Sequence, residues 1–129
     1  MGQRTRWSGA ERNAAYRFVA AMEVLNGRGS LNENLFSQRL AAHLGMPGTA
    51  GTDSHQTTDI GKAATYFERD IETERDLIEE IRAGRCWPVD LTRGVLTASP
   101  ALHTVPDSLA VEWQATAERR AAFLAGHPA

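Results

Sequence analysis

The sequence has little cysteine, no long apolar run and little net charge. Its single cysteine, Cys86, has no second cysteine with which to form an intramolecular disulfide. No apolar stretch approaches the roughly 18 residues needed to span a bilayer. The net charge of -2 provides no basic field of the kind that attracts nucleic acid. These absences argue against a disulfide-rich secreted protein, a membrane protein and a general nucleic-acid binder.

What is present is the composition of an ordinary globular domain. Of the 129 residues, 42% are hydrophobic and 23% are charged, values far from those of disordered chains. A chain of this length is expected to bury roughly two thirds of its unfolded surface around one core. The amino terminus carries Arg4 and Arg6 but no apolar region after them, so it does not resemble a secretion signal. We therefore expect a cytoplasmic protein with no membrane partner.

Local signals in the first half of the chain predict a helix, a strand, a second helix and a second strand. The predicted elements are a helix over 9–20, a buried strand over 21–25, a helix that begins after Ser30 and ends at Gly45, and a strand over 49–52. Ser30 and Glu33 form the sequence pattern of a capping box, and a glycine in the left-handed conformation commonly ends a helix. Strand, helix and strand in this order predict a βαβ unit with parallel strands.

The second half of the chain predicts two extended segments and two helices. These elements are a strand over 63–68, a helix from Thr73 to Gly84, an extended segment over 87–91 and a last helix over 107–124. Pro88 has no N–H and cannot donate to a ladder, so the segment that contains it is expected at the edge of its sheet. Residues 92–105 show no strong periodicity, so no regular structure is predicted there.

The string Gly51-Thr52-Asp53-Ser54-His55 carries the clearest chemistry in the chain. It follows a predicted strand, and in extended backbone the side chains of residues two apart point to the same side. A carboxylate oxygen and an imidazole nitrogen together suit Zn, Mn or Fe. Ligand sites of α/β folds also cluster at the carboxyl ends of strands. The residues alone leave a second interpretation open, in which Asp53 caps a turn and His55 is an ordinary surface residue.

Three ordered strings in the chain are similar to one known family. The central string, followed by Asp59-Ile60-Gly61-Lys62, resembles that family's last metal motif. Upstream, Met22-Glu23-Val24-Leu25-Asn26-Gly27-Arg28 is similar to the strand end that precedes the motif, and residues 71–85 are similar to the final helix. The family is the polymerase and histidinol phosphatase (PHP) superfamily of metal-dependent phosphoesterases. The resemblance covers residues 20–91 and corresponds to the carboxyl-terminal part of such a domain.

The resemblance implies an α/β fold of a particular kind, a partial distorted βα (TIM-like) barrel. In this family the strand ends hold divalent metal ions, which activate water for attack on a phosphate ester. By the resemblance, Asp53 and His55 are metal ligands for Zn, Mn or Fe, and Glu23 and Asn26 have supporting roles beside them. Glu23 and Asn26 fit equally well a strand-end turn held by the asparagine side chain.

The chain lacks most of the ligands that the family uses. In PHP enzymes a His-x-His motif, an Asp-His pair, a Glu and a further His come earlier in the domain, and none of these motifs precedes Glu23 here. A βα barrel takes about 250 residues, and a catalytic zinc typically keeps three protein ligands. The other histidines, His43, His103 and His127, have the sequence context of surface residues. The sequence assigns no catalytic residue.

Two hypotheses about function follow. In the first, the chain is an incomplete carboxyl-terminal half of a PHP-type phosphoesterase that acts on a phosphate-ester small molecule. Residues 1–91 then belong to the PHP-type domain, and 92–129 form a loop and a terminal helix packed on it. In the second, the chain is a non-catalytic α/β binding or regulatory module. In either case an exposed sheet edge would favour self-association or a complementing amino-terminal half.

Overall fold

The described part of the protein contains both strands and helices. The structure, a computed structural model, describes residues 9–92, 95–96 and 106–127. The elements are β1 (Met22–Asn26), α1 (Leu31–Leu44), β2 (Gly48–Gly51), β3 (Ala63–Tyr66), α2 (Glu74–Arg82), β4 (Trp87–Asp90), β5 (Val95–Leu96) and α3 (Asp107–Gly126). This is a small α/β fold, which confirms the predicted class.

The β1, α1 and β2 segments form the predicted βαβ unit. The Ser30 hydroxyl accepts a hydrogen bond from the Glu33 N–H at 3.2 Å, and the Ser30 N–H donates to the Glu33 carboxylate at 2.7 Å. This capping box satisfies amides that the first helical turn cannot. Gly45 ends the helix in the left-handed conformation, with φ of 66°. The chain then returns so that β2 pairs with β1 in parallel.

Side chains of α1 occupy the outer edge of β1. The Asn34 amide accepts from the Asn26 N–H at 2.9 Å and donates to the Asn26 carbonyl at 3.1 Å. The Gln38 amide donates to the Val24 carbonyl at 3.2 Å. These are bonds that a neighbouring strand would otherwise make. The helix therefore satisfies backbone groups of β1 as well as covering it.

The second sheet is antiparallel and has the order β3-β4-β5. The prediction that Pro88 places its strand at an edge was wrong, because β4 pairs with β3 on one side and β5 on the other. Proline is accommodated because the pairing with β5 that the structure describes involves Val89 and Asp90 only. Pro88 itself lies opposite Thr65 of β3.

The predicted helix over 9–20 was also wrong. Two short 3-10 helices, Ala10–Arg12 and Ala14–Phe18, stand in its place. Asn13 separates them in extended conformation, and its side chain accepts a hydrogen bond from the Ala15 N–H at 2.9 Å. Asparagine competes in this way for backbone amides that a continuous α-helix would use. The string Ser8-x-x-Glu11 also has the form of a capping box, but Ser8 lies outside the described residues.

The described residues do not close into a barrel. They contain one parallel βαβ unit and one antiparallel sheet, rather than a series of parallel βαβ units. The last helix, predicted over 107–124, is present as α3. In place of the predicted partial barrel, the described residues form a strand-helix-strand unit beside a three-stranded sheet.

Two apolar clusters lie in the core of the part of the chain that the structure describes. The first joins α3 to β4 and contains the buried residues Trp87, Val89, Leu91 and Leu109. The second joins α1 to β1 and contains Val24, Ala41 and Met46. Each cluster therefore packs one helix on one sheet, and the sheets are brought together by other contacts.

Threonine side chains connect the two sheets. The Thr65 hydroxyl accepts from the Ala50 N–H and donates to the Ala50 carbonyl, both at 2.9 Å, and so joins β3 to β2. The Thr52 hydroxyl donates to the Ala63 carbonyl at 2.9 Å. These bonds replace backbone ladder bonds and hold the end of β2 beside β3.

The Thr65 hydroxyl is expected to contribute measurably to stability. Thr65→Val keeps the shape but leaves the N–H and the carbonyl of Ala50 without their partner, at a cost of about 1–3 kcal/mol. Urea denaturation measures the loss. Thr57→Val, at an exposed threonine, is the matched control and should change the unfolding free energy by less than about 0.5 kcal/mol. Equal effects of the two substitutions would contradict the bridging role.

Candidate functional site

The carboxyl ends of β1 and β2 lie side by side because the strands are parallel. Asn26 is paired with Gly51 in the ladder, and the Gly27 N–H donates to the Gly51 carbonyl at 2.9 Å. A Cβ at Gly27 would lie 2.7 Å from the Thr52 carbonyl oxygen, so this close approach requires glycine. The predicted site residues on the two strand ends are therefore brought to one place.

The Asn26 side chain links the two strand ends. Its Oδ1 accepts hydrogen bonds from the backbone N–H groups of Arg28 at 2.9 Å and Gly29 at 3.0 Å. Only the amide oxygen can accept both, so the NH2 group must point the other way. It donates to Glu23 Oε2 at 3.1 Å and to Asp53 Oδ2 at 3.4 Å. Asn26 thus holds the strand-end turn and also orients two carboxylates.

Asp53 and His55 come together through a turn, contrary to the expectation of extended backbone. Strand β2 ends at Gly51, and Asp53 has a φ of 52°, in the left-handed region that aspartate tolerates better than most residues. His55 Nδ1 lies 2.8 Å from the Asp53 carbonyl oxygen and 3.7 Å from Asp53 Oδ1. Both side chains are exposed and line the same open pocket, together with Glu23 and Asn26.

The contact with the carbonyl determines which His55 nitrogen is free. A carbonyl oxygen can only accept, so Nδ1 carries the proton and, in the neutral ring, Nε2 keeps its lone pair. Metal-bound histidines usually donate their second nitrogen to a carbonyl or a carboxylate in this way. The tautomer of His55 therefore suits the binding of a metal ion to Nε2.

A buried carboxylate anchors the segment that carries these residues, which we call the site loop (residues 52–62). Asp59 is only 1% exposed. It accepts from Lys62 Nζ at 2.5 Å, from Arg28 Nη1 at 3.0 Å and from the His55 N–H at 3.1 Å. The Lys62 ammonium first, and then the His55 amide and the Arg28 guanidinium, hold the pKa of Asp59 well below its usual range. The His55 backbone is thereby tied to the ion-pair network around a buried carboxylate.

Sequence reasoning noticed Asp59 only as part of a family string. Its lysine partner lies three residues away at Lys62, which is a visible local signal, but its partner Arg28 is 31 residues away. Another long-range contact is made by Arg120, whose guanidinium donates to backbone carbonyls of the site loop. Nothing in the local sequence indicates either long-range contact.

The other histidines that the structure describes, and the cysteine, do not join the site. His43 is exposed on α1, His127 stacks on Phe123 with ring centroids 4.4 Å apart, and His103 lies outside the described residues. Burial, and after it the Glu80 charge, raises the pKa of the Cys86 thiol to about 11. A thiol of this kind is unreactive at neutral pH.

The fit to a metal ion is therefore partial. Asp53 supplies a carboxylate oxygen and His55 a free imidazole nitrogen, a donor set that suits Zn, Mn or Fe. Within the ranges 9–92, 95–96 and 106–127, no group of three or more His, Cys, Asp or Glu side chains is arranged to hold an ion. The described residues provide part of a coordination sphere.

An α/β protein with polar residues at the carboxyl ends of parallel strands belongs to a class whose ligand sites lie there. Residues 32–86 match the family model described as PHP-associated. The resemblance is thus confirmed for the segment that contains Asp53, His55 and Asp59, whereas Glu23 and Asn26 lie before the match. No curated protein and no solved structure matches the chain significantly. No helix in the described part of the chain is long and apolar enough to cross a membrane.

Loss of the Asp59 charge is expected to destabilise the protein above pH 4. Asp59→Asn leaves Lys62 and Arg28 without their counter-charge, and we expect the melting temperature at pH 7 to fall by more than about 5 °C. Because the pKa of Asp59 is lowered in the folded state, its stabilisation is present above the ordinary pKa of about 4 and is lost as the pH falls below it. The difference between the two proteins should therefore shrink from pH 5 to pH 2.

Thermal unfolding followed by circular dichroism across this pH range measures the difference. Asp70→Asn, at an exposed aspartate, is the matched control and should melt close to the original protein at every pH. A difference between the original protein and Asp59→Asn that stays constant with pH would contradict the charge-based explanation.

Proposed function

We propose that this chain is the carboxyl-terminal part of a PHP-type, metal-dependent phosphoesterase that acts on a phosphate-ester small molecule. The observation that carries the proposal is the pairing of Asp53 with a His55 ring whose Nδ1 donates to a carbonyl, at the end of a parallel βαβ unit. The match of residues 32–86 to a PHP-associated family supports it. In this proposal the βαβ unit is one section of a distorted βα barrel.

The four site residues divide into proposed ligands and supporting residues. Asp53 and His55 offer an oxygen and Nε2 to a divalent ion, Zn, Mn or Fe. The Glu23 side chain reaches the same pocket from within β1 and accepts from the Asn26 NH2 group, which also orients the Asp53 carboxylate. When bound, such an ion lowers the pKa of its water toward neutrality and offsets charge that develops on the phosphoryl oxygens.

The proposal requires ligands from outside the described residues. Two side chains leave a catalytic ion short of the three protein ligands that it typically keeps. A complementing amino-terminal half or a second copy of the chain would supply the others across the open side of the pocket. The Asn26 amide and the Asp59 network keep the available ligands in place without them.

Metal titration tests the ligand assignment. We expect the chain to bind Co²⁺, as a spectroscopic probe for this class of ion, and Asp53→Asn or His55→Gln to weaken binding by at least about tenfold. Isothermal titration calorimetry measures the affinity, and the cobalt absorption band reports the nitrogen ligand. The matched controls are Asp70→Asn and His43→Gln, which should bind as the original protein does.

Phosphatase assays with Mn²⁺ and a generic aryl phosphate test whether the site is complete. We expect the isolated chain to bind metal but to give no turnover above the free ion. Turnover that depends on Asp53 and His55 would contradict the need for outside ligands. Absence of any cobalt binding would contradict the phosphoesterase proposal and favour the non-catalytic module.

A further inference from the structure

The last helix reaches the site loop through one side chain. Arg120 of α3 donates from Nε to the Ile60 carbonyl at 3.0 Å and from Nη2 to the Thr58 carbonyl at 3.1 Å. Gly61 packs against the Arg120 side chain, since a Cβ built there would lie 3.4 Å from Arg120 Cδ. Helix α3 lies entirely outside the segment that matches the PHP-associated family.

The two carbonyls flank the anchor of the loop. Asp59 stands between Thr58 and Ile60, and its carboxylate receives the His55 N–H. The loop is thus held by the ion pairs of the buried Asp59 and also by the Arg120 guanidinium. Apart from a single 3-10 turn, Thr57–Asp59, the loop has no regular structure that would hold it otherwise.

The docked face of α3 places Arg120 over the loop. Leu109 is buried in the core, Trp113 and Ala117 pack beside it, and Trp113 Nε1 donates to the Asp90 carbonyl at 3.4 Å. These residues recur at helical spacing, and Arg120 continues the same face by one turn. The apolar contacts therefore fix the position from which the guanidinium reaches both carbonyls.

The planar guanidinium suits this task better than another cation. Its N–H groups are fixed relative to one another, so two of them reach two carbonyls at once, whereas a lysine ammonium is a single point charge on a flexible stem. The neighbouring Arg119 differs, because it is exposed and donates to Thr116 of its own helix. Of these two adjacent arginines, Arg120 contacts a distant part of the chain, whereas Arg119 contacts its own helix.

We propose that Arg120 is a positioning residue for the candidate metal site. Through it, the docking of α3 holds the site loop and so determines the placement of Asp53 and His55. This inference rests on the proposed function, since the residues that it positions are the proposed ligands. It adds a role for a carboxyl-terminal helix that the family match does not include.

Hydrogen exchange of the loop amides tests the positioning role directly. His55, Asp59 and Lys62 donate their N–H groups within the loop. We expect Arg120→Gln to speed their exchange by about tenfold while the amides of β1 and β4 stay protected, because the loop opens locally. Arg120→Lys should restore only part of the protection. Arg119→Gln is the matched control and should leave exchange unchanged.

Cobalt affinity, measured on the same proteins, provides the second readout. We expect Arg120→Gln to weaken Co²⁺ binding by about tenfold, the size typical of residues that orient metal ligands. If Arg120→Gln changes neither the loop exchange nor the Co²⁺ affinity, and the original protein binds normally, the role of Arg120 is overturned. The proposed function is not affected by that result. Uniformly faster exchange throughout the protein would overturn the role of Arg120 as well, since this would indicate a general loss of stability. Failure of the original protein to bind Co²⁺ would overturn the proposed function and, with it, the metal-positioning role.

Discussion

The arrangement of the site depends on the burial of one negative charge. A carboxylate removed from water is costly unless charged and hydrogen-bonding groups surround it. The partners of Asp59 come from two places: Arg28 lies in the turn after β1, whereas Lys62 and the His55 N–H belong to the site loop. Satisfying this one group therefore requires that the turn and the loop meet. The candidate ligands occupy the space that this meeting defines.

Short-range signals explain which parts of the fold were predictable. Helices α1 and α2 begin at Ser30 and Thr73, where capping bonds join residues only three apart, and α1 ends at a left-handed Gly45. Such bonds form from the local sequence alone, so helix limits and the βαβ order followed from it. The failures that concern the sheets have the opposite origin. Whether β4 is an edge or a central strand depends on β5, and whether strands close a barrel depends on all of them.

The candidate site shows the same division. Asp53 and His55 are two residues apart and were found from their chemistry and from the family resemblance. Their actual geometry was not predictable, because it results from a left-handed Asp53 and from an Asn26 amide 27 residues earlier in the chain. Arg120, 60 residues from the carbonyl that it contacts, was missed altogether. A partner at that distance leaves no periodicity and no motif in one sequence.

The amount of support around these ligands bears on what the site is for. An exposed aspartate and histidine with no common task would need no fixed side-chain geometry, since water solvates both at little cost. Here three groups hold the site loop. They are the Asn26 amide, the ion pair between Lys62 and the buried Asp59, and Arg120 from α3. Holding ligands in advance removes the entropy of ordering them when an ion or a partner binds. If the remaining ligands come from outside the described residues, Asp53 and His55 must already have the geometry that those ligands require. The arrangement fits a site of this kind.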